Sequence, residues 1–262
     1  MTSSIVADGV WEAYRRRTKL GWRRRGEPHW ALRDVSVSVP AGGCLGVIGG
    51  NGSGKTTLLQ VVAGVLRPTL GRVEVRGRLA TLVDLSAGFH RDLTGRENLL
   101  IGGVLLGLRR DEVRERLDEI VAFSGLDDDA IDAPLAGYSA GMGLRLGFAL
   151  VVSSSPEVLL VDEVLAVGDD AFQRRCLTRI GELRDAGCAV MFVSHDMSLI
   201  RGHTDETAVL ERGELAMVGP PAEAVAYHLD RRGASELDVA ADRGMFDPSA
   251  RGEAARRRRG VR

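Results

Sequence analysis

Between Gly49 and Thr57 the chain reads Gly-Gly-Asn-Gly-Ser-Gly-Lys-Thr-Thr, which fixes Gly49, Gly54, Lys55 and Thr56 at the spacing GxxxxGK[ST]. Glycines let a loop wrap until its backbone N–H groups converge on one anion, and a helix starting at the lysine turns its positive end on the same point. Gly49, Gly50, Asn51, Gly52, Ser53, Gly54 and Thr57 form the cradle in this reading. Lys55 reaches the β- and γ-phosphates and the Thr56 hydroxyl ligates Mg²⁺. A second constellation is the apolar run Val158–Val161 followed by Asp162 and Glu163. Strand alternation sends the two acids to opposite sides, so that Asp162 supports the metal and Glu163 polarises an attacking water as general base. His195, in Ser194-His195-Asp196 after another apolar run, is placed to sense a γ-phosphate. Tyr138-Ser139-Ala140-Gly141-Met142 puts a serine and a glycine at a helix start, a second set of phosphate-binding N–H groups.

These residues need elements to hold them. Cys44–Gly49 is a short apolar run ending in glycines, and residues 54–66 continue with helical character, giving strand, loop, helix. Further strand-like runs are Arg72–Val75, Leu79–Val83, Val158–Val161, Ala189–Val193 and Ala208–Leu210. Between them Val113, Leu117, Ile120 and Val121 recur at helical spacing, with Glu112–Arg116 and Arg114–Asp118 as i,i+4 charge pairs. The pattern predicts an α/β core over about 1–85 and 155–232, with an inserted helical subdomain over about 86–154. From Gly233 the chain is rich in Ala, Arg, Asp and Gly without periodicity, and 233–262 reads as a mobile polar tail ending in a basic cluster.

Composition narrows the class. A chain of 262 residues, 44% hydrophobic, has enough core to need no disulfide or metal staple. The longest apolar stretch, Leu99–Leu108, falls short of the ~20 residues of a membrane span. It is a candidate docking surface or an ordinary core helix. The N-terminus lacks the layout of a signal peptide, and three widely spaced cysteines fit reduced thiols. The net charge of −1 hides basic ends: residues 1–33 hold eight Lys/Arg against three acids, and residues 251–262 hold six against one. Such ends suit an anionic surface such as lipid headgroups at the inner leaflet. Of 35 basic residues only Lys19 and Lys55 are lysines, which makes the lysine at 55 conspicuous.

A phosphate loop alone leaves GTPases, kinases and helicases open. The order of the motifs decides: GGNGSGKTT resembles the Walker A motif of ABC ATPases, LLVDE the Walker B motif, YSAGM a variant of the LSGGQ signature, and VSHD the H-loop. Val164–Asp170 occupies the D-loop position. TLVDLSAGFHRDLTGRENL, AGYSAGMGLRLGFAL and VDEVLAVGDDAFQRRCL are similar to the ATP-binding subunits of bacterial polysaccharide exporters of the O-antigen, teichoic-acid, capsule and galactan types. The resemblance covers about residues 5–230.

The resemblance implies a P-loop NTPase core with N-terminal antiparallel β elements and a helical signature subdomain. It implies ATP and Mg²⁺ as ligands, with Thr56 and Asp162 at the metal and Glu163 and His195 as the catalytic pair. Its partners are a second copy, packed head to tail so that Ser139, Ala140, Gly141 and Met142 face the other copy's ATP, and an integral membrane permease. The setting is the cytoplasmic face of a bacterial plasma membrane. A drug exporter, an importer or a soluble ATPase acting on nucleic acid is the alternative; nucleic acid is not the expected partner. The sequence departs from the wider pattern twice: no glutamine lies at the Q-loop position near Leu85–Ser86, and Met142 replaces the signature glutamine. Tyr14 and Trp30 both stand where an aromatic could stack on adenine or simply pack. The 33 residues after Leu229 are too few for the glycan-recognising β-sandwich that some of these ATPases carry, so no glycan affinity is expected of the subunit itself.

Overall fold

The structure, a computed structural model, describes residues 3–14, 28–82, 88–162 and 169–242. The chain begins with β1 (Ser3–Tyr14), β2 (His29–Pro40), β3 (Cys44–Gly49), α1 (Lys55–Val62), β4 (Leu70–Val75) and β5 (Leu79–Thr81). The helical block follows as α2 (Gly95–Leu105), α3 (Arg110–Ser124), α4 (Asp128–Ile131) and α5 (Ala140–Ser153). It returns through β6 (Val158–Asp162), α6 (Asp170–Asp185), β7 (Ala189–Val193), α7 (Met197–His203), β8 (Glu206–Glu211), β9 (Glu214–Gly219) and α8 (Pro221–Asp242).

Two sheets result. β2-β1-β4 is antiparallel, and the order β5-β6-β7-β3-β8-β9 is parallel except for the β8–β9 hairpin. The central strands β3 and β7 are buried throughout, as expected for parallel strands covered on both faces. Their side chains split by the period of two. Leu159, Val161, Val190 and Phe192 pack with Phe148, Phe172, Ile180 and Val225 of the helices on one face. Val158, Leu160, Met191 and Val193 pack on the other face with Leu58 and Leu59 of α1 and with Ile5, Val10 and Leu32 of the antiparallel sheet. In β2 the alternation is reset by Asp34, at φ 51, so that Leu32 and Val35 both point inward. The helical block has its own core of Leu99, Ile120, Ile131, Leu146, Ala149 and Leu150. Among the described residues no helix is long and apolar enough to cross a membrane.

Three expectations change. The strand expected over Leu79–Val83 ends at Thr81, although the Leu82 N–H still donates to the Leu160 carbonyl at 2.8 Å. The hairpin strand β9 has no counterpart in the sequence reading; its Arg212-Gly213 turn, with φ 51 and 87, is the mirror-image turn that suits the twist of a hairpin. The folded part was expected to stop at 232 with a mobile tail beyond, whereas α8 runs ten residues further, to Asp242. The stretch Ala234–Asp242 contains no proline or glycine and three of its nine residues are Ala, so nothing within it ends the helix. Residues 243–262, with the basic cluster, lie outside the described residues.

Candidate functional site

Three adjacent parallel strands deliver the motif residues to one edge of the large sheet. β3 runs into the glycine loop, β6 ends at Asp162, and β7 between them leads to Ser194-His195-Asp196. Asp162 pairs with Val193 and Val47 with the same residue, so the acid and the strand feeding the loop stand two ladder steps apart, roughly 10 Å. The carboxyl ends of parallel strands open a crevice of this kind in α/β sheets. His195 is exposed there and Asp162 is half-buried.

The loop has little freedom in residue type. At Gly49 a Cβ would press on the Leu210 carbonyl oxygen and lie 2.6 Å from Ser53 Oγ. At Gly54, with φ 107, a Cβ would stand 2.6 Å from the Ala31 carbonyl oxygen. The far wall is the β8–β9 hairpin tip: Gly213 donates its N–H to the Ser53 carbonyl at 2.9 Å, and its own carbonyl accepts from Arg33 N–H at 2.7 Å. Gly213 is a site residue that sequence reasoning missed; the Arg-Gly dipeptide signals the turn but not what it touches.

Lys55 is 6% exposed and donates from Nζ to the carbonyls of Gly49 and Gly50 at 2.9 and 3.0 Å, so its charge lies under the loop. Ser53 Oγ is buried with no hydrogen-bond partner among the described residues. Apart from the adjoining residues, no described atom lies within 4 Å of where a Cβ would stand at Gly50 or Gly52. A buried lysine, an unsatisfied hydroxyl and an open rim of glycines suit an anion. Thr56 is exposed at the start of α1. Among the described residues no three His, Cys, Asp or Glu side chains could hold a metal by themselves. A magnesium ion carried by a nucleotide needs only one or two protein ligands, which Thr56 and Asp162 suit.

The aromatic ambiguity resolves into two environments. Trp30 packs edge-on against Trp11, with ring centroids 5.3 Å apart and planes at 82°. Tyr14 is 42% exposed at the end of β1, and its hydroxyl lies 3.3 Å from Thr57 Oγ1 in the first turn of α1.

Ser139, Ala140, Gly141 and Met142 lie apart, at the start of α5 in the helical block. Ser139 Oγ accepts from the Met142 N–H at 3.3 Å and keeps its own proton to donate. Ser139 and Ala140 are exposed. The turn is anchored from behind, where the Tyr138 hydroxyl donates to the Ala130 carbonyl at 2.6 Å. Glu163, the rest of the segment to Gly168 and the Q-loop position at Leu85–Ser86 lie outside the described residues. The start of α6 is capped by Asp169, whose Oδ1 accepts from the Phe172 N–H at 2.8 Å. That bond, and then Arg145, hold the Asp169 carboxyl below its ordinary range. The Ser198 hydroxyl and the Leu199 N–H do the same for Asp196, which caps α7. Burial pushes the thiols of Cys44, Cys176 and Cys188 up to about 12, away from both constellations.

The apolar stretch Leu99–Leu108 divides into two faces. Leu99 and Leu108 are buried, while Ile101, Val104 and Leu105 are exposed and line a groove of about 440 Å³ with Leu93 and Leu100.

Residues 32–166 match the family model for the ABC transporter, the region that holds the loop, the Ser139 turn and β6. The chain belongs to the ABC transporter family. This ABC transporter chain is 41% identical over 220 residues to the O-antigen export system ATP-binding protein RfbB of Myxococcus xanthus, across 84% of this chain and 49% of that protein. It is 39% identical over 196 residues to the teichoic acids export ATP-binding protein TagH of Lactococcus lactis, across 75% of this chain and 42% of that protein. The chain thus spans about half the length of these two curated relatives. Its fold is that of the ATP-binding cassette MJ0796, solved as a dimer in a post-hydrolysis state with ADP and Pi, at a TM-score of 0.70 and 20% identity over 83% of this chain and 98% of that one.

Proposed function

We propose that the chain binds and hydrolyses ATP as a pair of identical copies, and so powers export of a lipid-linked polysaccharide through a separate membrane permease. The observation that carries this is the division of labour between two places. The loop, Asp162 and His195 share one sheet edge, while the exposed Ser139 turn opens a separate element, α5 of the helical block. In a two-fold pair each Ser139 turn meets the nucleotide held by the other copy.

Within each site Lys55 and the loop N–H groups hold the phosphates, and Thr56 and Asp162 would hold the Mg²⁺ that accompanies them. The ion offsets phosphate charge when bound. Glu163 takes a proton from the attacking water and His195 reads the γ-phosphate. Tyr14, beside Thr57, stacks on adenine in place of Trp30, which is committed to Trp11. The permease is proposed to seat a helix in the groove on α2, whose exposed Ile101, Val104 and Leu105 supply apolar area. This makes the chain a peripheral subunit at the cytoplasmic face of the plasma membrane. Polymer export as the task follows from relatives named for O-antigen and teichoic acids.

The test has two parts. Purified chain should release phosphate from Mg-ATP, and Lys55→Ala should not. Affinity purification from detergent-solubilised membranes should recover a polytopic permease, and Leu105→Asp should lose it while nucleotide affinity is retained. Phosphate release by Lys55→Ala at the parent rate contradicts the site assignment.

A further inference from the structure

Between the helical block and the core lies a joint that ties α5 to the last residues of the D-loop position. Arg145, on α5, places Nη2 2.8 Å from Asp169 Oδ2 at the start of α6. The two oxygens of Asp169 are divided, Oδ1 capping α6 and Oδ2 meeting the guanidinium. The same guanidinium lies over the Phe172 ring, 5.2 Å from its centroid. Phe172 is buried and packs against Phe123 of α3 and Phe148 of α5, with centroids 6.1 and 5.9 Å away. Arg145 therefore touches the one aromatic of α6 that inserts between the helices of the block.

Two arguments separate positioning from stability here. The pair is too exposed to contribute much folding energy, with side chains 25% and 61% accessible. Helix α5 is already held by Leu146, Phe148, Ala149 and Leu150 in the two cores. What the pair does fix is orientation, because a planar guanidinium that must face a carboxylate and a ring together has one pose. Arg145 stands six residues after Ser139 on the same rigid helix, about 9 Å along its axis. In sequence Asp169 stands six residues after Glu163.

We infer that Arg145 is a positioning residue, which through Asp169 and Phe172 sets the pose of the Ser139 turn relative to the core. The inference rests on the reading that this turn completes a second copy's nucleotide site. Arg145 touches no nucleotide in that arrangement. It fixes whether the turn of one copy and the loop of the other meet when two copies close.

The test uses the full chain carrying Glu163→Gln, with Mg-ATP, and reads the dimer dissociation constant by sedimentation beside single-chain affinity for a fluorescent ATP analogue. Adding Arg145→Ala should weaken the dimer about tenfold and leave analogue affinity within about twofold. Asp169→Asn keeps a capping oxygen for the Phe172 N–H while removing the charge, and should weaken the dimer to the same extent. Combining the two should do no further harm, since both remove one interaction. An unchanged dimer constant in either variant overturns the inference, as does a parallel loss of analogue affinity and thermal stability in both, which marks a merely structural contact. A Glu163→Gln parent that binds the analogue and stays monomeric overturns the two-copy reading itself, before Arg145 is touched.

Discussion

The phosphate loop and the Ser139 turn are both helix N-termini preceded by glycine or a small polar residue, yet they are built in opposite ways. The loop is walled in by β2, β8 and the β8–β9 hairpin, with Lys55 drawn beneath it and Gly49 and Gly54 where no other residue fits. The turn is braced only from behind, and at Gly141 the nearest atom to an added Cβ is Ser139 Oγ at 4.0 Å. In the proposed reading the loop grips the phosphates with groups of a single chain. The other is an exposed turn with no lysine in it, and in the proposed reading it works against a surface that already carries the phosphates. The difference predicts that damage to the loop is felt in binding, whereas damage to the turn is felt in turnover.

The largest effect should come from Lys55→Ala, which leaves the phosphates without their buried cation. Affinity for ATP should fall by about two to three powers of ten in a fluorescent-nucleotide titration. Lys55→Arg should fail as well, because a planar fork does not fit where Nζ meets the Gly49 and Gly50 carbonyls. Near-parent affinity in either variant breaks the comparison at its stronger end. Gly141→Asp probes the weaker end: open space around the site lets the helix form, and the new charge repels phosphate. Steady-state turnover should drop about 100-fold while single-chain affinity changes by no more than about twofold. Loss of affinity instead places the turn beside its own loop.

Tyr14→Ala sharpens the boundary of the loop site. Affinity should fall about five- to tenfold, as for loss of one stacking contact on a base, with Tyr14→Phe near the parent value. Trp30→Ala should instead lower the melting temperature, because it opens the Trp11–Trp30 contact. The smallest effect concerns the thiols. All three are buried, with values raised to about 12, so at pH 8 the folded protein should resist iodoacetamide and retain nucleotide binding. Rapid labelling of native protein by mass spectrometry speaks against the core described.

How much of this was legible in the sequence follows the distance over which each contact forms. The loop, Asp162 and His195 are legible because each sits a fixed few residues from an apolar strand, and parallel pairing then aligns the strand ends. The Gly213 brace is not, since it joins residues 160 positions apart through a hairpin that shows in sequence only as a turn. Telling the surroundings of Tyr14 from those of Trp30 needed the register of β1 on β2, with its bulges between Ala7 and Ala13. The Arg145–Asp169 contact was equally hidden, because nothing in the spacing of α5 and α6 says which faces meet. The extension of α8 past 232 was missed because a run rich in alanine and acids reads as polar tail unless one asks what would stop the helix.

The central claim is that the loop of one chain binds the nucleotide and the Ser139 turn of a second chain completes the site for turnover. Sedimentation velocity of Glu163→Gln, with and without Mg-ATP, tests it most directly, since removing the base leaves the bound state intact and blocks the step that opens it. The account predicts a monomer without nucleotide and a dimer with Mg-ATP, the dimer being lost again when Gly141→Asp is added. A variant that binds Mg-ATP stoichiometrically and remains a monomer contradicts it.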